Sequence, residues 1–198
     1  MNTEYWNDVA SKGAVLGIIM LVSHIFKQMA VMHASASLVA AVGLEGLVAA
    51  VLFIYLLYRF AKRASLRFGD ETLGFTYSQG LMYIVAVSLF AGVIVGLGGY
   101  IYIHYIVGYD NYVEQLVANV QNLIHSVGNL PSSVMRTYDD MLDAMAESPE
   151  PSVVNRVFSS MVNYGIWGLI VGLFIAGFTK RNPDIFEVDE DNDNREEI

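Results

Sequence analysis

Five side chains able to hold or move charge lie within otherwise apolar stretches of the chain: His24, Lys27, Gln28, Glu45 and His104. A carboxylate beside an imidazole can exchange a proton with it, and an ammonium can hold an anionic headgroup. A charge placed in a bilayer costs about 2.5–3.5 kcal/mol even on the lenient insertion scale, so each of these groups must be paired or wet. With a rise of 1.5 Å per helical residue, Lys27 falls about 10 Å below a tight connection near His33–Ser37, and Glu45 about 12–14 Å below it. The two can meet, and His24 is one turn from Lys27 on the same face. Two readings follow. One is a polar pocket in the outer half of a helical bundle, where Glu45 and His24 exchange protons or Lys27 holds an anion. The other is a Lys27–Glu45 pair that fixes two helices and does nothing else. His104 falls near the outer boundary, where it can snorkel; His33 is assigned to the turn and His125 to an outer helix.

Other chemistries find little in the sequence. The histidines at 24, 33, 104 and 125 show no metal-ligand spacing, so no metal site is expected. Asp139 and Asp140 are adjacent, as on a solvated face, and Gly96–Gly99 lies inside an apolar run, so it is no phosphate loop. Without cysteine there are no disulfides, thiolate ligands or thiol nucleophiles. No basic stripe with interleaved aromatics supports nucleic-acid binding. No catalytic residue and no cofactor is expected, and the lipid bilayer is the first partner.

The elements that must position the polar groups are membrane helices. Of the 198 residues, 55% are apolar and 16% charged, and the mean hydropathy is +0.45, which excludes both an ordinary soluble globule and a disordered chain. Four segments are long enough for a hydrocarbon core that takes about 20 helical residues: Gly13–Met32, Ala36–Tyr58, Gln79–Val107 and Val162–Phe178. The last extends backward through Val153, Val154, Val157, Phe158 and Met161. Strands are excluded because Val48–Leu57 does not alternate, and lipid demands self-satisfied backbone. The expected fold is all-α, with residues 1–108 holding three spans, 109–152 an extracytoplasmic helical excursion, 153–181 the fourth span and 182–198 an acidic disordered tail.

Charge sets the orientation. Arg59, Lys62, Arg63 and Arg67 lie between spans two and three, Lys180 and Arg181 follow span four, and Lys12 precedes the apolar part of span one. Only Arg136 and Arg156 fall on the other side. Positive charge marks the cytoplasmic face, so both termini are expected inside a bacterial inner membrane. Tyr5, Trp6, Tyr55, Tyr58 and Tyr77 then form an inner aromatic belt, and Tyr102, Tyr105, Tyr109 and Tyr112 an outer one. The first span is read as retained rather than as a secretory signal, because Glu4 and Asp8 replace the basic start that such a signal carries. The net charge of −9 is concentrated in the excursion and in the tail.

Within the excursion, Val113, Leu116, Val117, Val120, Leu123, Ile124 and Val127 recur at three- and four-residue steps. After Gly128 and Pro131, Val134, Tyr138, Met141, Leu142 and Met145 repeat the pattern. Span three is therefore expected to continue outward as a long helix, with a second helix returning to span four. Ser152, after Pro149 and Pro151, is a candidate cap. Gly13/Gly17, Gly92/Gly96 and Gly168/Gly172 have four-residue spacing, and Gly99 extends the middle set. Such faces let helix backbones approach closely in lipid, either within one chain or across a homodimer.

The stretch Gly74-Phe75-Thr76-Tyr77-Ser78-Gln79-Gly80, running into Leu81–Tyr105, resembles an uncharacterised family of small bacterial four-span membrane proteins. The basic segment Arg59–Arg67 and the closing segment Gly168–Pro183 with Lys180 are similar to that family as well. The resemblance implies topology, no known activity, and a setting in cell-envelope assembly. Tyr77 at the interface and Gln79 at the inner mouth are the motif residues to test. Two functions compete: a non-catalytic assembly or accessory component, working with a second copy or another membrane protein, and a small proton- or anion-linked carrier or channel using the His/Lys/Glu cluster.

Overall fold

A computed structural model describes residues 3–33, 36–69, 74–126 and 131–181. The expected turn at His33–Ser37 lies partly outside these residues, and the acidic tail after Arg181 wholly so. The described chain is all-helical, with six α-helices: α1 (Thr3–Met32), α2 (Ala36–Phe68), α3 (Tyr77–Ile101), α4 (Tyr109–Ser126), α5 (Ser132–Ala146) and α6 (Val153–Thr179). Four helices are long and apolar enough to cross a membrane, over Thr3–Ala30, Ala40–Phe68, Tyr77–Val107 and Val153–Thr179. The protein is a multi-pass membrane protein.

Three boundaries differ from the sequence expectation. Helix α1 starts ten residues early, so Glu4, Asp8 and Lys12 are helical. Helix α2 continues through Arg59, Lys62, Arg63 and Arg67, so the basic segment is a helical extension rather than a loop. No glycine or proline interrupts the chain between Leu47 and Phe68, so nothing in the sequence stops the helix there. The third difference is at the other end of the bundle. Span three does not run straight out as one long helix. It passes into a π-helical turn over Tyr102–Val107 and stops at Gly108, whose φ of 83° belongs to the left-handed region that glycine enters without a steric cost. Helix α4 starts afresh beyond it.

Helix α3 is the centre. It packs most extensively against α6 and then against α1, while α2 leans on all three. Water-driven burial gives little between helices already surrounded by apolar tails, so association rests on close packing. The glycines supply it. An added methyl group would lie 2.7 Å from Ile94 Cβ at Gly17, 2.6 Å from Met161 Cα at Gly92 and 2.7 Å from Val157 Cα at Gly96. At Gly13 it would strike Phe90, at Gly168 the Ser88 hydroxyl, and at Gly172 it would press on Leu81 and Ile84. Every one of these glycine positions faces a neighbouring helix of the same chain.

The core lies toward the end that carries the termini. Val9, Leu16 and Met20 of α1 meet Tyr83, Ile84, Val87 and Ala91 of α3, and Phe53, Leu57, Phe60, Ala61 and Ala64 of α2 close it. Between Ala40 and Leu52, in contrast, no residue of α2 is buried. Leu44, Leu47, Val48 and Val51 are all exposed, and an added Cβ at Gly43 or Gly46 would meet nothing. Helix α2 thus splays from the bundle at the end bearing the α4–α5 excursion. In the excursion Ile124 and Leu142 are buried, but Val134, Tyr138 and Met141 of the α5 stripe are exposed. Ser152 caps α6, its hydroxyl accepting from the Asn155 N–H at 3.3 Å.

Close approach predicts an asymmetry among glycines. Gly92→Ala should destabilise the bundle by about 1–3 kcal/mol, as overpacking against backbone does. Gly43→Ala should be neutral, or gain up to about 1 kcal/mol from helix propensity. Unfolding in a denaturing detergent followed by circular dichroism measures both, and equal effects would contradict the packing described.

Candidate functional site

Lys27 of α1 and Glu45 of α2 form an ion pair, Nζ to Oε2 at 3.5 Å. It sits within the stretch of α2 that stands away from the bundle, and the Glu45 Oε2 is buried without a hydrogen bond. Gln28 Nε2 lies 3.4 Å from His24 Nε2, one turn away on the same helix. The His24 ring reaches toward α3 at Gly99, where an added Cβ would come within 2.9 Å of Nε2. Gly99 therefore makes room for an imidazole rather than for a helix backbone. His24, Lys27, Gln28 and Glu45 fall at the same end of the bundle.

His104 belongs to a separate arrangement. Its Nδ1 is 2.8 Å from Glu150 Oε2 and 3.0 Å from Oε1, and its ring stacks on Tyr100 at 5.1 Å between centroids. The π-helical turn holds it there, facing the segment that leads into α6. This pairing ties the end of span three to the beginning of span four.

The sequence reading missed the residues that α6 contributes. A cleft of about 440 Å³ opens between α1, α3 and α6, lined by His24, Gly96, Gly99, Tyr100, Asn155, Arg156, Ser159 and Ser160, with Val95 and Pro151. The Arg156 Nε is buried and has no hydrogen-bond partner. Its backbone is held against α3, because its carbonyl oxygen would be 3.1 Å from a Cβ at Gly96. The signal was present: Arg156 lies inside the apolar helical pattern that begins at Val153, four residues before Ser160, although its charge suggests a connection. Tyr112 of α4 stands close enough to respond to Arg156. Burial pushes the Tyr112 phenol above the usual tyrosine range, the Arg156 guanidinium opposes that shift, and Tyr109 adds to it.

The helix rise gives the depth of the cleft. Gly96 is nineteen residues beyond Tyr77, or about 28 Å along α3, against a hydrocarbon core of roughly 30 Å. Measured from Tyr77, the cleft therefore lies about as far along α3 as a hydrocarbon core is thick. Lys27, Arg156, His24 and Glu45 share this region, with the His104–Glu150 pair at its border. Glu45 is engaged with Lys27 and Glu150 with His104, and among the described residues no carboxylate forms an ion pair with the Arg156 guanidinium. An anion is the group that such an arrangement can stabilise, through charge-assisted hydrogen bonds in a setting partly screened from water.

At the opposite end, Gly74–Gly80 forms a clasp. Gly74 has φ 67°. Phe75, almost completely buried, pairs with Arg181 in an antiparallel bridge with N···O distances of 3.0 Å in both directions. Thr76 and Gln79 make a reciprocal capping box: the Gln79 N–H donates to Thr76 Oγ1 at 3.2 Å, and the Thr76 N–H donates to Gln79 Oε1 at 2.8 Å. The Tyr77 hydroxyl donates to the Leu173 carbonyl at 3.0 Å. Gly80 admits Thr179, which would lie 3.2 Å from an added Cβ. Tyr77 and Gln79 thus lock the start of α3 to the end of α6. Nearby, the Tyr83 hydroxyl donates to Asp8 at 2.5 Å, and Arg67 and Lys12 approach the same carboxylate at 3.7 and 3.9 Å. The sequence reading weighed Asp8 only as evidence against a signal peptide. Among the described residues no three histidine, aspartate or glutamate side chains converge as metal ligands.

The Lys27–Glu45 pair makes a cycle testable. Lys27→Met alone should lower stability by about 1–3 kcal/mol, because it strands a largely buried carboxylate. Adding Glu45→Leu should recover most of that loss, since an apolar replacement of a whole pair is often neutral. Simple additivity of the two losses in detergent unfolding would show that the pair is not coupled.

Comparison with curated proteins and with solved structures finds no match. A family model described as a protein of unknown function, DUF4199, matches residues 12–181, which include the clasp, all the residues lining the cleft and the greater part of each span. The chain belongs to the DUF4199 family of proteins of unknown function.

Proposed function

We propose that this protein is a non-catalytic membrane component that holds an anionic group in the cleft beside Arg156, and that it serves an envelope process as an accessory subunit. The observation that carries the reading is the Arg156 side chain, its Nε buried and without a hydrogen-bond partner, sharing a cleft with His24 and two serine hydroxyls. By the distribution of lysine and arginine the excursion faces outward, both termini are cytoplasmic, and the cleft belongs to the outer leaflet of a bacterial inner membrane.

Binding is favoured over passage by the contrast between the two ends of the bundle. A carrier needs a route onward from the cleft toward the termini. Below it, Leu16, Leu57, Tyr83, Ile84 and Val87 are almost completely buried, and Asp8 is tied to Tyr83. The glycine faces are occupied within the chain, so contacts with a second copy or another membrane protein fall to the open half of α2 and to the excursion.

The test is anion-dependent stabilisation, since a ligand that binds the folded state raises the unfolding midpoint. The full chain in zwitterionic nanodiscs should unfold at a higher temperature when inorganic phosphate is added, or when an anionic phospholipid replaces part of the bilayer. Arg156→Gln should abolish the rise while keeping the helical circular dichroism. If neither anion moves the midpoint, the reading fails.

A further inference from the structure

A second cavity, of about 370 Å³, lies between α1, α2 and α6 and is mainly apolar. Met20, Ala50, Phe53, Ile54, Trp167 and Val171 are among its walls, and Lys27 stands at its upper end. It exists because α2 splays: from Ala40 to Leu52 no residue of α2 is buried, and the Phe53 ring meets Tyr164 edge-on at 5.9 Å across the groove. Ile54 and Trp167 are half exposed, so the groove opens sideways toward the surrounding lipid.

The two cavities border consecutive turns of α6. Arg156 and Ser160 line the cleft, and Tyr164, Trp167 and Val171 line the groove, at successive three- and four-residue steps that put them on one face of the helix. On α1, His24 lines the cleft while Met20, Ser23 and Lys27 line the groove, so the two cavities meet this helix over the same turns. From Arg156 to Trp167 and Val171 the groove descends about 16–22 Å. The nearer figure, at Trp167, is about half of a hydrocarbon core roughly 30 Å thick and so the reach of a chain in one leaflet, while Val171 lies deeper.

We propose that cleft and groove are one site for an anionic lipid of the leaflet on the excursion side. Its charged headgroup sits between Arg156 and His24, and one acyl chain lies in the groove beneath Lys27. The proposal rests on the reading that the cleft holds an anion, and it adds the chemical class. A small soluble oxyanion needs the cleft alone. A lipid accounts for three features together: a positive site at the excursion end of the spans, an apolar trough bordering the next turns of α6, and a lateral opening between α2 and α6.

Trp167 reports on the groove directly. In a Trp6→Phe background it is the single tryptophan of the chain. The full-length protein is placed in zwitterionic nanodiscs carrying a small fixed fraction of phosphatidylglycerol with brominated acyl chains, or the same fraction of brominated phosphatidylcholine. Brominated phosphatidylglycerol should quench Trp167 severalfold more than brominated phosphatidylcholine. Arg156→Gln should bring the ratio to one by removing the headgroup contact, and Ala50→Phe should do so by filling the trough without touching the cleft. The unfolding midpoint with inorganic phosphate is measured on the same samples. Equal quenching by the two lipids, with phosphate still stabilising the chain through Arg156, would overturn the lipid assignment and leave the anion reading standing. Equal quenching with no stabilisation by either anion would overturn both. A ratio that survives Ala50→Phe would also overturn the assignment, because the chain would then lie elsewhere.

Discussion

Backbone-to-backbone contact along α3 is the constraint on which the remainder of this structure depends. Helices in lipid gain little from hiding apolar surface from one another, so they associate where small residues allow their main chains to touch. Gly13 and Gly17 bring α1 onto one side of α3, and Gly92 and Gly96 bring α6 onto the other. A ridge of small residues also sets register, because a shift of one residue would put a side chain where only a hydrogen fits. The register places Arg156 opposite Gly96 and leaves His24 over Gly99. The polar site is therefore a by-product of helix packing: α1 and α6 are each held against α3, and the space left between them at one end is the cleft.

Helix α2 has the contrary role. Its lower half completes the core through Phe53, Leu57 and Phe60, while its upper half stands apart and is connected mainly by the Lys27–Glu45 pair. A tightly packed α2 would have produced a uniform bundle with no interior surface. Splaying costs apolar packing, offset by lipid contact that is nearly as favourable to an aliphatic side chain. The molecule consequently combines a closed half with an open one, and the charged residues with unmet hydrogen-bonding capacity, Glu45 and Arg156, are both in the open half.

Much of this could be read from the residues. Four spans, the all-α fold, the Ser152 cap and the meeting of Lys27 with Glu45 follow from apolar run length, capping chemistry and helical rise, which are local quantities. The parts that could not be read depend on neighbours distant in the chain. Four-residue glycine spacing is equally compatible with an internal contact and a dimer, and only tertiary structure says what each glycine meets. Arg156 carries a charge at the edge of a span, so composition assigns it to a connection, although the pattern from Val153 to Met161 already placed it on the helix. The break at Gly108 was hidden because a helical apolar stripe resumes at Val113, and only the backbone angle reveals the interruption. His104 belongs with Glu150 across a fold that brings together segments far apart in sequence.

The clasp between Phe75 and Arg181 has a consequence for how the molecule is made. Its two residues lie more than half the chain apart, and the second emerges only after α6. Until the ribosome has delivered the last span, the Phe75 amide and carbonyl have only solvent to bond with, and Tyr77 lacks the Leu173 carbonyl it will later reach. Spans one to three can enter the membrane and find one another by their glycine faces beforehand. The clasp can form only once α6 has been made, so the closure of this end of the molecule waits on the last span.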